Sequence, residues 1–121
     1  MTASISSSEY VALVAKTMRE KQLQDAIIGA AQRLGWLVYH THDSRRSAAG
    51  FPDLVLVHRG RGRILYRELK TLTGKVTADQ RKWLDALAAA GADVGVWRPT
   101  DWLTDDGAVK TALYPGDGEQ W

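Results

Sequence analysis

The chain contains no cysteine. A disulfide scaffold and a thiolate metal site are therefore both excluded, and the composition suits a reducing compartment. No apolar run approaches the roughly 20 residues that a helix needs to span a bilayer. Met1 to Ser8 lack the basic cluster and long apolar stretch of a signal peptide. These absences predict a cytoplasmic protein with no membrane association. There is no internal repeat and no sign of a second domain, so the 121 residues read as one domain, with 1–16 and 114–121 as loose ends. Gly60 and Gly62 are too isolated to form a phosphate loop of the nucleotide-binding kind.

Hydrophobic residues make up 45% and charged residues 25%, which is the balance of an ordinary folded domain. The net charge of +2 hides an uneven distribution. Between Arg45 and Lys82 stand ten basic and three acidic residues, giving +7, while the remainder carries −5. A basic middle beside an acidic remainder suggests a face for a polyanion, although an arginine-rich solvated loop would show the same imbalance.

Hydrophobic periodicity gives the order helix, three strands, helix, strand. Thr17-x-x-Glu20 reads as a capping box opening a helix with Leu23, Ile27, Ala30, Ala31 and Leu34 on one face and Gly35 as its stop. Trp36 to His40, Leu54 to His58 and Ile64 to Thr71 have the length and content of strands, the last two joined by the turn-rich Arg59-Gly-Arg-Gly-Arg63. Thr77-Ala-Asp-Gln80 opens a second helix with Trp83, Leu84, Leu87 and Ala88 on its buried face and Gly91 as its stop. Val94 to Arg98 is a core strand that Pro99 ends, and 101–113 holds a short helix broken at Gly107. This order predicts an α/β fold, a mixed four-stranded sheet flanked by helices.

The strongest chemical signal is Pro52-Asp53 followed by Glu68-Leu69-Lys70. Glu68 and Lys70 are two apart on one strand, so they share a face. If the two strands pair as a hairpin, Asp53 lies across from Glu68. Two adjacent carboxylates repel, an arrangement poor for folding unless a cation fills it. Carboxylate oxygens are hard ligands and suit Mg²⁺ or Mn²⁺. The Leu69 carbonyl, between the two side chains, is a further candidate ligand. Such an ion lowers the pKa of a bound water and polarises a phosphodiester, while Lys70 orients the water or offsets transition-state charge. Taken singly, a Pro-Asp turn or a Glu-x-Lys strand is an ordinary surface feature. Their combination, 15 residues apart across a hairpin, is far more specific.

Gly50-Phe51-Pro52-Asp53-Leu54, Tyr66-Arg67-Glu68-Leu69-Lys70-Thr71, Gly74, Thr77 to Gln80, Trp83-Leu84 and Gly91 together resemble the VRR-NUC nucleases over about residues 18–100. These belong to the PD-(D/E)XK superfamily, which includes Holliday-junction resolvases and many restriction enzymes. The likeness is to the compact single-domain type found in bacteriophages. It implies a restriction-endonuclease-like core and a catalytic set of Asp53, Glu68 and Lys70. Glu20 matches an acidic residue that completes the metal site, and Gln80 matches a glutamine near the active site. Each also has a competing role as the third helical residue of a capping box. The resemblance further implies cleavage of DNA, including branched, flapped or four-way-junction forms, and a homodimer.

Ser44, Arg45, Arg46 and Ser47 read as a phosphate-contacting loop ahead of the Pro-Asp motif. Arg59, Arg61 and Arg63 on the hairpin tip, with Lys75 and Lys82, are further candidates to grip a DNA backbone. His40, His42 and Asp43 could hold a transition metal, but that density is more often plain surface. Trp97 and Trp102 read as packing residues. Two rivals to a nuclease remain. A non-catalytic nucleic-acid-binding module would have no need of adjacent carboxylates. An enzyme acting on a small phosphorylated substrate would have no need of the +7 segment.

Overall fold

A computed structural model describes residues 5–42 and 48–115. Ser6 accepts the Glu9 amide hydrogen at 3.1 Å and opens helix α1 (Ser7–Thr17). The expected loose lead-in is thus largely helical. The serine run supplies the cap, and fully buried Ala15 anchors the helix, which packs on the short helix α4 (Pro99–Leu103). The expected Thr17-x-x-Glu20 box is not formed. Thr17 ends α1, its hydroxyl donating to the Val14 carbonyl, and the chain breaks at extended Met18. Helix α2 (Glu20–Arg33) opens two residues later, where the Arg19 amide donates to Gln22 Oε1 at 2.9 Å. It buries Leu23, Ile27, Ala30 and Ala31 as their spacing predicts, Leu34 is its half-buried C-cap, and Gly35 at φ +88° turns the chain out of it.

Strands β1 (Leu37–His40), β2 (Leu54–His58) and β3 (Arg63–Leu69) form an antiparallel meander. Strand β4 (Asp93–Trp97) joins β3 in parallel, after a crossover through α3 (Ala78–Ala89). The sheet order is β1-β2-β3-β4, the mixed four-stranded sheet that the sequence predicts. Thr77 caps α3 as expected, but Leu84 alone is buried. Trp83 and Leu87 are half-buried, and Ala88, expected in the core, faces solvent. Pro99 ends β4 by starting a helix, α4 (Pro99–Leu103), and Gly107 separates it from α5 (Ala108–Leu113).

One sheet face carries Leu54, Leu56, Leu65, Leu69 and Trp97 against α2 and Val109 and Leu113 of α5, forming the core. Trp36 donates from Nε1 to the Leu113 carbonyl at 3.0 Å, tying the end of α5 to this core. Arg67 is buried on the same face. It bonds Asp93 at 2.7 Å and stacks 4.9 Å from the Trp97 ring, locking the start of β4 to β3. Burial raises the Asp93 pKa, but bonds to Arg67 and Arg63 outweigh it and hold the carboxyl below its usual range. The opposite sheet face bears Asp53, Val55, Val57, Ile64, Tyr66 and Glu68 by strand alternation.

Candidate active site

Asp53 stands just before β2, and two neighbours fix its backbone. The Thr41 amide donates to the Asp53 carbonyl at 3.0 Å, and the Thr41 hydroxyl donates to the Pro52 carbonyl at 3.2 Å. The preceding loop is seated on α3. Phe51 meets Trp83 edge-on at 5.1 Å and Tyr66 at 6.4 Å. Gly50 has φ +85°, and a Cβ there would stand 2.3 Å from the Asp79 carbonyl carbon and 2.6 Å from the Gln80 nitrogen. Only glycine allows the Pro-Asp loop to lie directly on the first turn of α3. The α3 N-terminus, with Gln80, is thereby held beside the loop that carries Asp53.

The pairing of Leu54 with Arg67 puts Asp53 opposite Glu68, as expected for a hairpin. Asp53 Oδ2 accepts the Leu69 amide hydrogen at 2.8 Å, so the carboxylate is pinned to the backbone between Glu68 and Lys70. Glu68 is 1% exposed. Burial, a hydrogen bond with Asp53 and the Asp53 charge push its pKa up to about 9, with Lys70 opposing and Glu20 adding to the shift. Its Oε2 is buried without a hydrogen-bond partner. Lys70, 9% exposed, follows two residues on, its amide donating to the Trp97 carbonyl.

Glu20 stands exposed as the first residue of α2, close enough for its charge to act on Glu68. Arg19 and Gln22 make the cap there, so the capping role weighed for Glu20 is filled by other residues. Among the described residues no three His, Asp or Glu side chains gather closely enough to hold an ion by themselves. The pair Asp53 and Glu68 is what the fold brings together. Gln80 does form its capping box. Its Oε1 accepts the Thr77 amide hydrogen at 2.9 Å, and Thr77 Oγ1 accepts that of Gln80 at 3.2 Å.

The hairpin arginines lie at the other end of β2 and β3, roughly 17 Å or more from the carboxylates at about 3.4 Å per residue. Arg61 donates to the Ala112 carbonyl at 2.9 Å and stacks 5.8 Å from the Trp36 ring, and Arg63 bonds Asp93 at 2.9 Å. Lys75 is exposed in the loop between Lys70 and α3, at the carboxylate end of the sheet. Asp43, Ser44, Arg45, Arg46 and Ser47 lie outside the described residues. His40 and His42 stack at 4.0 Å. Sequence reasoning passed over Arg98, which donates from Nη1 to the carbonyls of Thr71, Leu72 and Gly74 just after Lys70. No local motif marks a residue that acts across 24 to 27 positions of chain.

A VRR-NUC domain model matches residues 4–101. The chain belongs to the VRR-NUC domain family. A solved structure described as a VRR_NUC domain is 26% identical, covers 69% of this chain and 88% of its own, and superposes with a TM-score of 0.59. A second, described as a VRR_NUC domain protein, is 19% identical, covers 65% and 76%, and has a TM-score of 0.51, a likeness of fold. No curated protein gives a significant match. The family assignment carries with it a nuclease-type fold. Among the described residues no helix is long and apolar enough to cross a membrane.

Proposed function

We propose that this chain is a Mg²⁺- or Mn²⁺-dependent endonuclease that hydrolyses phosphodiester bonds in DNA, with branched, flapped or four-way-junction DNA as favoured substrates in the cytoplasm. The observation that carries this reading is Glu68. A carboxylic side chain 1% exposed, against a second carboxylate and with Oε2 unpartnered, is costly in a fold unless it has a ligand to bind. Beside Asp53 it supplies the pair of carboxyl oxygens that a hard divalent cation takes as ligands. Asp53, Glu68 and the Leu69 carbonyl would hold the ion, and Glu20, exposed at the start of α2, would join them only by moving in when the ion binds. Bound there, the ion would acidify a water and polarise the phosphate. Lys70 sets a positive charge beside the carboxylates, where it would orient the attacking water and offset charge on the pentacoordinate transition state. Gln80 lies against the same loop and would contact the phosphate from α3.

DNA would run across the carboxylate end of the sheet, gripped near the site by Lys75, with Ser44, Arg45 and Arg46, ahead of the Pro-Asp motif in sequence, as further proposed phosphate contacts. Arg61 and Arg63 could reach only flanking phosphates. A non-catalytic binder has no use for the buried carboxylate pair, which sets that reading second. Plasmid, linear and four-way-junction DNA incubated with Mg²⁺, Mn²⁺ or chelator tests the proposal. Cleavage with metal and none in chelator is expected; cleavage in chelator would refute the metal site.

We further propose a homodimer through the outer sheet face. Leu37, Tyr39 and Ile64 are 72%, 58% and 49% exposed there, and the strand register sets them beside Val57, Val55 and Tyr66. So continuous an apolar sheet surface, covered by α3 only towards β4, suits a second copy across a twofold axis. Sedimentation of wild type and Leu37→Asp tests it: a dimer and a monomer are expected, and a monomeric wild type refutes it.

A further inference from the structure

Arg98 closes β4, and its side chain reaches back to the turn that follows Lys70. Nη1 donates to the carbonyls of Thr71 and Gly74 at 2.8 Å each and of Leu72 at 3.4 Å. The turn is closed by the Gly74 amide on the Thr71 carbonyl at 3.3 Å. A Cβ at Gly74 would stand 2.9 Å from Thr71 Oγ1 and 3.6 Å from Lys70 Cδ. The turn is tight about Thr71 and runs alongside the aliphatic stem of Lys70, at a distance that a methyl group would just span. The Lys70 amide is fixed from the same strand, on the Trp97 carbonyl at 3.1 Å. Arg98 is itself held at the start of α4, its amide donating to Asp101 Oδ2 at 2.7 Å.

We propose that Arg98 is a positioning residue for Lys70: by clamping the Thr71–Gly74 turn over the lysine stem, it fixes where the ammonium group stands relative to Asp53 and Glu68. A lysine side chain has four rotatable bonds, and burial of its stem is what limits them. Three carbonyls converging on one guanidinium nitrogen make a clamp that a neutral side chain cannot replace. Without it the carbonyls turn to solvent, the turn opens, and Lys70 samples positions in which its charge misses the phosphate. The kinetic consequence rests on the nuclease reading, whereas the packing consequence does not.

The test has two arms. In the first, wild type, Arg98→Ala and Arg98→Lys are acylated with a small anhydride, and modification of each lysine is followed by mass spectrometry. Lys70 is expected to react about tenfold faster in Arg98→Ala, with Arg98→Lys between, because local opening governs access to a protected group. Lys21 and Lys82, both exposed, serve as references and should not change. In the second arm, kcat for DNA cleavage is expected to fall about tenfold with KM nearly constant, since misplacing a catalytic group weakens the transition state more than the ground state. Unchanged Lys70 acylation overturns the proposal. So does a general rise at all lysines with a lower Tm, which would make Arg98 a plain stabiliser. A change in KM and salt dependence alone would make it a DNA contact and overturn the proposal equally. If wild type cuts no DNA, the nuclease reading fails while the acylation arm still decides the clamp.

Discussion

The Asp53 carboxylate accepts the amide hydrogen of Leu69 at 2.8 Å. This bond runs from the residue before β2 to β3 and ties the acidic group to the backbone amide of the one residue that separates Glu68 from Lys70. The hairpin register alone would set the three residues near one another. The bond fixes the carboxylate's rotation, leaving its other oxygen for Glu68 or a cation. It also gives Asp53 a structural duty that is separable from metal binding.

That separation yields a first prediction. In Asp53→Asn the side-chain carbonyl can still accept from Leu69, and the negative charge beside Glu68 is gone. Metal-free stability should change by no more than about 1 kcal/mol. Asp53→Ala leaves a buried amide without an acceptor and should lose about 1–3 kcal/mol. Mn²⁺ at 100 times its Kd should stabilise wild type by about 2.7 kcal/mol and neither variant. Urea melts of the three proteins with chelator and with Mn²⁺ measure each of these quantities. Equal metal stabilisation of wild type and Asp53→Asn would remove Asp53 from the ligand set.

A second prediction concerns pH. Burial and Asp53 raise the Glu68 pKa from 4.5 to about 9. Between those values the folded protein holds a proton that the unfolded chain has lost. Stability of the metal-free protein is therefore greatest below pH 4.5 as far as Glu68 is concerned, and it is lost as pH rises towards 9. The slope is at most about 1.4 kcal/mol per pH unit. Glu68→Gln should flatten it. Metal binding must expel this proton, so Mn²⁺ affinity should rise with pH over the same window. Melts at pH 5, 7 and 9 in chelator, and Mn²⁺ titrations at the latter two, test both signs.

Elements fixed by local chemistry were the most legible in the sequence. Strand β2 runs from Leu54 to His58, an apolar run bounded by Pro52-Asp53 and the Arg-Gly turn. Helix α3 begins at the Thr77 box because both partners of that box lie within four residues. Asp53, Glu68 and Lys70 were legible because strand alternation and a tight hairpin leave only one way to bring them together. Helix α1 was not, since its anchor is the single small residue Ala15 and its partner α4 comes from the far end of the chain. The start of α2 offered two overlapping frames, Thr17 with Glu20 and Arg19 with Gln22, and the break at Met18 decides between them. Arg61 reads in the sequence as a hairpin-tip cation that grips a DNA backbone. Its engagement with Ala112 and Trp36 depends on α5 folding against that hairpin, which no local pattern records.

Gly50→Ala supplies a third prediction. The residue needs φ +85°, and the added methyl carbon would fall 2.3 Å from backbone of Asp79. Backbone cannot yield as a side-chain tip does, so the loop and α3 must separate. A loss of at least about 1–3 kcal/mol is expected from the strained conformation alone. Cleavage should fall further than Tm suggests, because Asp53 sits three residues along the displaced loop. Rates measured well below the variant's Tm distinguish the two effects. Wild-type rate and stability in Gly50→Ala would show that the close approach to α3 is not needed.

Gln80 allows the sharpest separation of structure from chemistry. Its Oε1 caps the Thr77 amide, while its Nε2 is a donor that the cap does not use. Gln80→Ala removes both functions. It should cost about 1 kcal/mol, the usual value of a cap, and also slow cleavage. Gln80→Glu keeps an oxygen for Thr77 and places a negative charge in the first turn of α3, where the helix dipole favours it. Its Tm should equal or exceed that of wild type. The same substitution deletes the donor and sets an anion beside a phosphate, so cleavage should drop by at least about tenfold. Comparing kcat/KM and Tm across the three proteins decides the role. If Gln80→Glu is as stable and as active as wild type, Gln80 is a cap and nothing more.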